Sequence, residues 1–282
     1  LNQPSTVKAQ DFSRYSFRVN LDYKLNSRLK IGTSNNLSTT PRKLIRVGDG
    51  GTGLFQAALH TPTFLPIIDD NGQYTTHFTF DNVYTLLENT DTKSNSIRSV
   101  NNVYAELTII PGLTFRSSWS NDYNVYKEYN YFSSKMRAGQ PAGSATQITT
   151  ERVTLSADQL LNYNLSTGNS DLAFFLGTSY QHTDKAGQTI TGSQFPSDQH
   201  RQIASAGVRS GTTTASSNSL LSFFGGVNFS YKNRYIIDGT FRSDGSSRIG
   251  RDHRWGHFPA IGANWRVSNE PFFPKSYFLN EM

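Results

Sequence analysis

Strict alternation of apolar and polar residues is the feature that most constrains the fold of this chain. From Tyr15 to Leu25, every odd-numbered residue is apolar or aromatic, and every even-numbered residue is polar or charged. Because successive side chains of a β-strand point to opposite faces, this pattern predicts a strand with one apolar and one hydrated face. The segment matches the ~9–11 residues with which a tilted strand crosses a bilayer.

The same alternation recurs along the chain and predicts about nine strands in all. The further strands are expected within residues 29–33, 102–109, 113–120, 153–165, 172–176, 221–231, 235–242 and 261–267. Tight turns rich in Gly, Asn and Pro are predicted at residues 26–27, 111–112, 167–169 and 233. Long polar connections are predicted at roughly 40–97, 127–148, 185–217 and 245–256. Short turns that alternate with long loops are typical of outer-membrane barrels.

Three details of the long connections are also predicted. Apolar residues at helical spacing within 53–60 indicate a helical patch in the first connection, closed by Pro62. The Thr/Ser run at 212–219 is interpreted as a polar loop. In the first connection, the run 69–72 (DDNG) is predicted to form a plain β-turn, because the Glu that would close a calcium loop is missing.

Composition excludes several other classes. The 282 residues include no cysteine, which excludes disulfide frameworks, thiolate metal sites and thiol catalysis. No apolar run approaches the ~18 residues of a membrane-spanning helix. The net charge of +6 is scattered along the chain, so no nucleic-acid partner is predicted. No catalytic motif is present and His253 and His257 lack a third ligand nearby, so no enzymatic activity, cofactor or metal is predicted.

The apolar face of the predicted strands is expected to contact the lipid bilayer. The residues assigned to that face are Phe17, Val19, Leu21, Leu107, Phe115, Leu155, Phe174, Phe223, Val227, Phe229 and Ile237. Aromatic residues near the strand ends are expected to form the interfacial girdles of a barrel. These are Tyr15, Tyr23, Trp119, Tyr163, Tyr231, Tyr235 and Trp265.

The most specific motif lies near the C-terminus. Residues 241–250 (FRSDGSSRIG) are followed by 254–260 (RWGHFPA) and 265–272 (WRVSNEPF). This series resembles the SusC/RagA family of TonB-linked outer-membrane transporters of Bacteroidetes, in which a strand ends in FR-x-DGSSR-F-G and a returning strand carries RWG-x-FP. The departures are Ile249, where Phe is usual, and Asn264, where Gly is usual. Earlier stretches at 15–23, 69–74 and 102–113 are similar to the family as well.

The resemblance implies a multi-pass protein of the cell outer membrane, an all-β transmembrane antiparallel barrel with short periplasmic turns and long extracellular loops. It implies import of large nutrients, oligosaccharides or peptides, with a SusD-like surface lipoprotein and the TonB complex as partners. About nine strands is an odd number and too few to close such a barrel. Residues 1–282 are therefore expected to be part of one barrel domain, with the plug domain, the TonB-contacting segment and the remaining strands outside this chain.

Two sets of residues are predicted to act at the extracellular end. A polar cluster around Asp244 is expected to fasten a loop, and it comprises Arg242, Asp244, Ser246, Ser247, Arg248 and Arg254. Aromatic residues of the long connections are expected either to face the substrate or the lipoprotein lid, or to pack the loops together; they are Phe55, Phe64, Tyr74, Phe78 and Phe195. The alternative to a transporter is a soluble or surface-exposed all-β binding module, lectin-like or a propeller.

Overall fold

The computed structural model describes residues 2–4, 10–45 and 53–273. Their main feature is one continuous antiparallel sheet. The strands are β1 (Asn2–Pro4), β2 (Asp11–Ser13), β3 (Tyr15–Lys24), β4 (Leu29–Leu44), β5 (Thr76–His77), β6 (Phe80–Asp81), β7 (Thr90–Ile110), β8 (Leu113–Phe132), β9 (Ser144–Thr167), β10 (Ser170–Ser193), β11 (Val208–Tyr231), β12 (Tyr235–Ser246) and β13 (Trp255–Trp265). Two helices, α1 (Leu54–His60) and α2 (Val83–Asn89), lie between β4 and β7.

Each long strand pairs with the next long strand along the chain: β3 with β4, β4 with β7, and then each strand from β7 to β12 with its successor. These are nine long strands, which confirms the predicted number. The short β1 and β2 extend the sheet beside the far end of β4, and β5 and β6 form a separate hairpin. In the described part of the chain, no second layer packs on this sheet as a sandwich or propeller would require.

The tight turns lie where the sequence places them. Gly112 has a φ of +84° between β7 and β8, and a Cβ there would lie 2.3 Å from the carbonyl oxygen of Asn164, so only glycine fits this turn. The turns are also staggered along the sheet. The pairing of β3 with β4 ends at Lys24 and Lys30, and the row of directly opposed residues that contains this pair reaches β11 at Phe224. β11 continues beyond that row to Tyr231, where it still pairs with β12. Such a stagger is the geometry of tilted barrel strands.

The register separates two faces of the sheet across all nine long strands. One row of directly opposed residues runs through Leu21, Thr33, Val103, Trp119, Ala157, Tyr180, Leu221, Gly245 and Trp255. We call this side the outer face. Every residue that the sequence assigns to lipid lies on it, and most of their side chains are exposed, from Phe174 at 39% to Phe17 at 68%. Val19 and Phe115 are half-buried beside their neighbours.

The strands extend much further than the alternation predicts. The connection predicted at 127–148 is reduced to 133–143, the one at 185–217 to 194–207, and the Thr/Ser run 212–219 lies inside β11. A strand of 24 residues is about 80 Å long, against an apolar band of ~25 Å in such barrels. Beyond the band, both faces are wet, so the alternation that identifies a strand is lost.

The first connection contains more structure than the sequence indicates. Helix α1 confirms the patch predicted at 53–60, whereas α2 was not predicted. Asn82 caps α2 by accepting a hydrogen bond from the backbone N–H of Tyr84 at 2.9 Å. The DDNG run forms a turn in which Asp69 accepts hydrogen bonds from the N–H groups of Asn71 and Gln73. In the part of the chain that is described, no helix has the length and apolar character needed to cross a membrane.

Candidate functional site

The inner face of the sheet, opposite the outer face, carries polar side chains that bond to one another. One row runs through Asp22, Gly32, Tyr104, Ser118, Asp158, Ser179, Ser222 and Asp244. The Tyr104 hydroxyl donates to Asp22, and the Ser179 hydroxyl donates to Asp158 at 2.5 Å. Directly opposed residues of a sheet are close enough for such pairs to stabilise it. This row lines the inner face with hydrogen-bonding groups rather than with apolar ones.

The C-terminal motif contributes Arg242 and Asp244 to this inner face. The Nε of Arg242 donates to both oxygens of Asp244, at 2.8 and 2.9 Å, and its terminal nitrogen donates to the hydroxyl of Ser222 at 3.1 Å. Ser222 is 1% exposed. This arrangement of one cation, one carboxylate and one hydroxyl ties β11 to β12 by their side chains.

Two members of the predicted cluster, Arg248 and Arg254, make no hydrogen bond or ion pair with Asp244. Asp244 lies within β12, so the turn begins only after Ser246. The Nε of Arg254 donates to the carbonyl of Ile249 at 3.3 Å, because the connection 247–254 folds back on itself. Arg248 extends over the inner face away from Asp244 and lines a separate cavity.

The two serines of the motif make hydrogen bonds at the start of the connection that follows β12. The Ser246 hydroxyl accepts from the N–H of Arg248 at 3.3 Å. The Ser247 hydroxyl accepts from the N–H of Ser219 at 2.8 Å, and the Ser247 N–H donates to the Ser219 carbonyl at 3.0 Å. Ser247 therefore prolongs the pairing of β11 with β12 past the last residue of the strand.

The connections at the other end from the tight turns pack into a loop unit, which comprises residues 45, 53–89, 133–143 and 194–207 with the strand ends beneath them. Its first apolar cluster joins α1 and α2 to the connection 133–143 through Leu54, Ala57, Leu86 and Met136, none more than 5% exposed. Its second cluster surrounds the fully buried Tyr131 and includes Ala145, Phe195, Ile203 and Ala206. These are the buried apolar cores of the described residues.

Asp198 joins the connections 133–143 and 194–207. Its carboxylate accepts hydrogen bonds from the Tyr131 and Ser133 hydroxyls, at 2.8 and 2.7 Å, and from the N–H and hydroxyl of Ser134, both at 2.9 Å. Burial alone would raise the pKa of Asp198, but these donors outweigh burial and lower the pKa to about 2. The guanidinium of Arg201 lies over the Tyr131 ring, 5.1 Å from its centroid, and so adds a further contact between 194–207 and the end of β8.

A second buried carboxylate joins the first connection to the connection 133–143. Asp81 is 1% exposed and accepts from the backbone N–H of Arg137, at 3.3 and 3.4 Å from its two oxygens. Burial raises the pKa of Asp81, and the bond from Arg137 only partly opposes that effect. The guanidinium of Arg137 also donates to the carbonyl of Phe78. Sequence reasoning missed Asp81 and Asp198 because their partners lie 56 to 67 residues away in the chain.

The predicted aromatic set divides into three groups. Phe55, Phe64 and Phe78 are exposed, the last two by more than 80%. Tyr74 is half-buried and donates its hydroxyl to Glu88 at 2.8 Å. Phe195 is 5% exposed and lies edge-on to Tyr131, with 5.3 Å between the ring centroids, so it packs the loops and does not face an open surface.

The opposite end of the sheet is fastened by Glu270. This carboxylate accepts from the Tyr235 hydroxyl at 2.6 Å, from the Trp265 indole at 3.1 Å and from Arg234 at 3.0 Å. The hydrogen bond from Tyr235, followed by that from Trp265, lowers the pKa of Glu270. The contact explains why aromatic residues at the ends of β12 and β13 precede a Glu in the motif. No group of three potential metal-ligating side chains occurs in the described ranges.

Comparison with known proteins gives matches along most of the chain. It is 29% identical to the TonB-dependent receptor SusC of Bacteroides thetaiotaomicron over 71% of this chain and 20% of that protein. It is 25% identical to the TonB-dependent receptor P3 of Formosa agariphila over 97% of this chain and 29% of that protein. No protein-family model matches the chain.

Solved structures show the same fold. The structure of the RagAB peptide transporter matches with a TM-score of 0.80 and 21% identity, over 93% of this chain and 31% of that one. The ferripyoverdine receptor of the Pseudomonas aeruginosa outer membrane matches with a TM-score of 0.56 and 13% identity, over 94% and 33%. This chain thus spans between a fifth and a third of the length of these four proteins.

The fold is that of the β-barrel of TonB-dependent receptors, seen here as an open run of strands rather than a closed barrel. Within that class, the chain is SusC/RagA-like, as its C-terminal motif predicts. Its relatives are named as receptors and transporters.

Proposed function

We propose that residues 1–282 form part of one transmembrane barrel domain of a TonB-dependent transporter in the cell outer membrane. The observation that carries the proposal is the uncovered outer face. Phe17, Leu21, Phe223 and Ile237 expose about half or more of their surface there, although a monomeric soluble protein rarely exposes apolar patches above a few hundred Å². A lipid bilayer is the solvent in which such a face is stable, with the loop unit outside the cell and the tight turns in the periplasm.

The cargo is proposed to be a large hydrophilic nutrient, an oligosaccharide or a peptide. The inner face supports this because it offers carboxylates, hydroxyls and a guanidinium, as in the row from Asp22 to Asp244. Such groups exchange hydrogen bonds readily with a hydrated solute. Energy would come from the TonB complex acting through parts of the protein other than these strands.

A SusD-like surface lipoprotein is the proposed partner of the loop unit. The unit has two buried apolar cores, and the carboxylates of Asp198 and Asp81 act as hubs, each accepting hydrogen bonds from another segment of the chain. It therefore presents a defined surface rather than a set of mobile loops. Phe64 and Phe78 protrude from that surface, 85% and 81% exposed. Exposed aromatic rings on a rigid support are typical anchors of protein interfaces.

The test is purification of the full-length protein from its native membrane in mild detergent. A surface lipoprotein should co-purify, and F64A/F78A should reduce its amount about tenfold, whereas Phe272→Ala should not. Phe272 is a matched control because it is 67% exposed at the opposite end of the sheet. Purification of the barrel alone would contradict the partnership. Uptake of nutrient that persists without TonB would contradict energised transport.

A further inference from the structure

A basic cavity of about 510 Å³ opens on the inner face between β9 and the connection that follows β12. Three cationic side chains line it, Arg152 from β9, Lys185 from β10 and Arg248 from the connection. Neutral hydrogen-bonding groups fill the space between them, among them Gln181, Thr183 and Asn218. By register, Arg152 and Lys185 both belong to the inner face, above the row that contains Asp122.

The three cations have no carboxylate partner among the described residues. The nearest acids of the inner face are already engaged. Asp122 receives two hydrogen bonds from Arg98, at 2.6 and 2.9 Å, and interacts with Arg152 only through space. Asp244 is held by Arg242. The cavity therefore carries uncompensated positive charge.

The pairing of β9 with β10 makes the positions of two of these cations unfavourable for the stability of the sheet when no ligand is bound. Arg152 and Lys185 are directly opposite each other on β9 and β10. Like charges at directly opposed positions destabilise a sheet. An anionic group in the cavity would convert this repulsion into two attractive contacts, and Arg248 would add a third from the opposite wall.

The neutral lining indicates what carries the anionic group. Side-chain amides and hydroxyls both donate and accept, which matches the hydroxyls of a sugar. In the cavity wall, Leu220 is the single large apolar side chain, and no aromatic ring is present. A peptide with apolar side chains would find little to contact here.

We propose that this cavity binds a carboxylate or sulfate group of an acidic oligosaccharide. The proposal rests on the import function proposed above and names its substrate class. Arg152 and Arg248 would each offer a planar fork of donors that fits such an oxyanion, and Lys185 would add a point charge. Hydroxyls of the flanking sugars would bond to Gln181 and Asn218.

The test is titration calorimetry on the full-length protein, purified in detergent, with four probes: trigalacturonate, a sulfated galactan trisaccharide, maltotriose and triglutamate. One or both acidic sugars should bind at least about tenfold more tightly than maltotriose, because hydrogen bonds between ionised groups are stronger than those between neutral ones. The tighter of the two identifies the acidic group. R152Q/K185Q should abolish this preference and Arg248→Gln should reduce it. Lys127→Gln is the matched control, since Lys127 is an exposed cation on the outer face of β8.

Equal binding of maltotriose and both acidic sugars would overturn the proposal, as would an equal loss in Lys127→Gln. Tighter binding of triglutamate would assign the cavity to an acidic peptide instead. Uptake of the same sugars into cells with and without TonB is measured separately. Binding without TonB-dependent uptake would overturn the transport function and leave the site, whereas uptake that is indifferent to R152Q/K185Q would overturn the site and leave the transport function.

Discussion

The part of the sheet with the apolar outer face, here called the spanning part, and the loop unit place their large apolar side chains in opposite environments. In the spanning part, Phe17, Leu21 and Ile237 point away from the protein and are exposed. In the loop unit, Leu86, Met136 and Tyr131 are 0–1% exposed and surrounded by protein. A single sheet has no interior, so its apolar side needs a covering, for which we propose lipid. The loop unit lies in water and must bury its own core.

The two regions also use polar groups differently. The spanning part pairs charges in open rows across neighbouring strands, such as Arg116 of β8 with Glu106 of β7. The loop unit uses single acids as hubs, because Asp198 and Asp81 each join segments that are far apart in the chain. We therefore expect the two regions to respond separately to substitution.

Substitution of Leu86 by Ala should give the largest effect. Removing a fully buried Leu side chain costs about 2–5 kcal/mol, and here the loss should fall on the loop unit alone. Amide hydrogen exchange should quicken in 133–143, while the barrel still assembles. Leu59→Ala is the control, because Leu59 is 80% exposed on α1. A loss of assembled barrel with Leu86→Ala would show that the regions do not fold separately.

Substitution of Val227 by Arg should act on the spanning part instead. Val227 lies on the outer face near the middle of the apolar part of β11, where a charge facing lipid costs about 2–4 kcal/mol. Its neighbour Asn228 lies on the inner face and is exposed, so Asn228→Arg should be tolerated. The amount of heat-modifiable, assembled barrel in membranes measures both. Equal tolerance would contradict the assignment of the faces.

The pH dependence of the loop unit should come from Asp198. Its pKa is lowered from 3.8 to about 2, so the carboxylate stabilises the folded unit above about pH 4, and this contribution of about 2 kcal/mol disappears as the pH falls to about 2. Hydrogen exchange in 194–207, corrected for intrinsic rates, should rise steeply over this range. Asp198→Asn should remove the pH dependence, whereas Asp70→Asn, at an exposed turn, should retain it.

Substitution of Lys185 by Gln should give the smallest effect, and with the opposite sign. Relief of the repulsion from Arg152 should stabilise the ligand-free sheet by about 0.2–1 kcal/mol. The thermal unfolding midpoint of the full-length protein should rise slightly, and Lys127→Gln should leave it unchanged. Destabilisation by Lys185→Gln would mean that Lys185 has a structural partner.

The comparison of regions also explains what could be predicted from the sequence. Alternation predicts the nine strands and their faces wherever one side meets lipid, as in 15–25 and 221–231. The parts of β10 and β11 nearest the loop unit lack this alternation because both of their faces contact water, so the sequence predicts loops there. The run 212–219, which lies within β11, has no apolar residue except Ala215. The alternation of apolar and polar residues therefore depends on what each face of a strand contacts, and not on whether the backbone is extended.

The candidate site was predicted unevenly for a related reason. The motif 241–250 contains the Arg242–Asp244 pair and the contact of Ser246 with Arg248, whose partners are close in sequence. The Asp198 hub depends on Tyr131 and Ser133, and α2 is a single short helix of seven residues within a long connection. Nothing in the local sequence around Asp198 distinguishes a hub from a turn, so only the tertiary structure identifies it.

The central claim is that one face of this sheet meets lipid and the other lines a water-filled lumen. This chain has no cysteine, so spin labels attached to single introduced cysteines at each position from 223 to 231 test it directly, with any cysteines elsewhere in the full-length protein replaced. In vesicles, collision rates with oxygen and with a polar nickel chelate should alternate with a period of two. Labels at odd-numbered positions should favour oxygen, and labels at even-numbered positions should favour nickel. A uniform profile, or the reverse phase, would contradict the account.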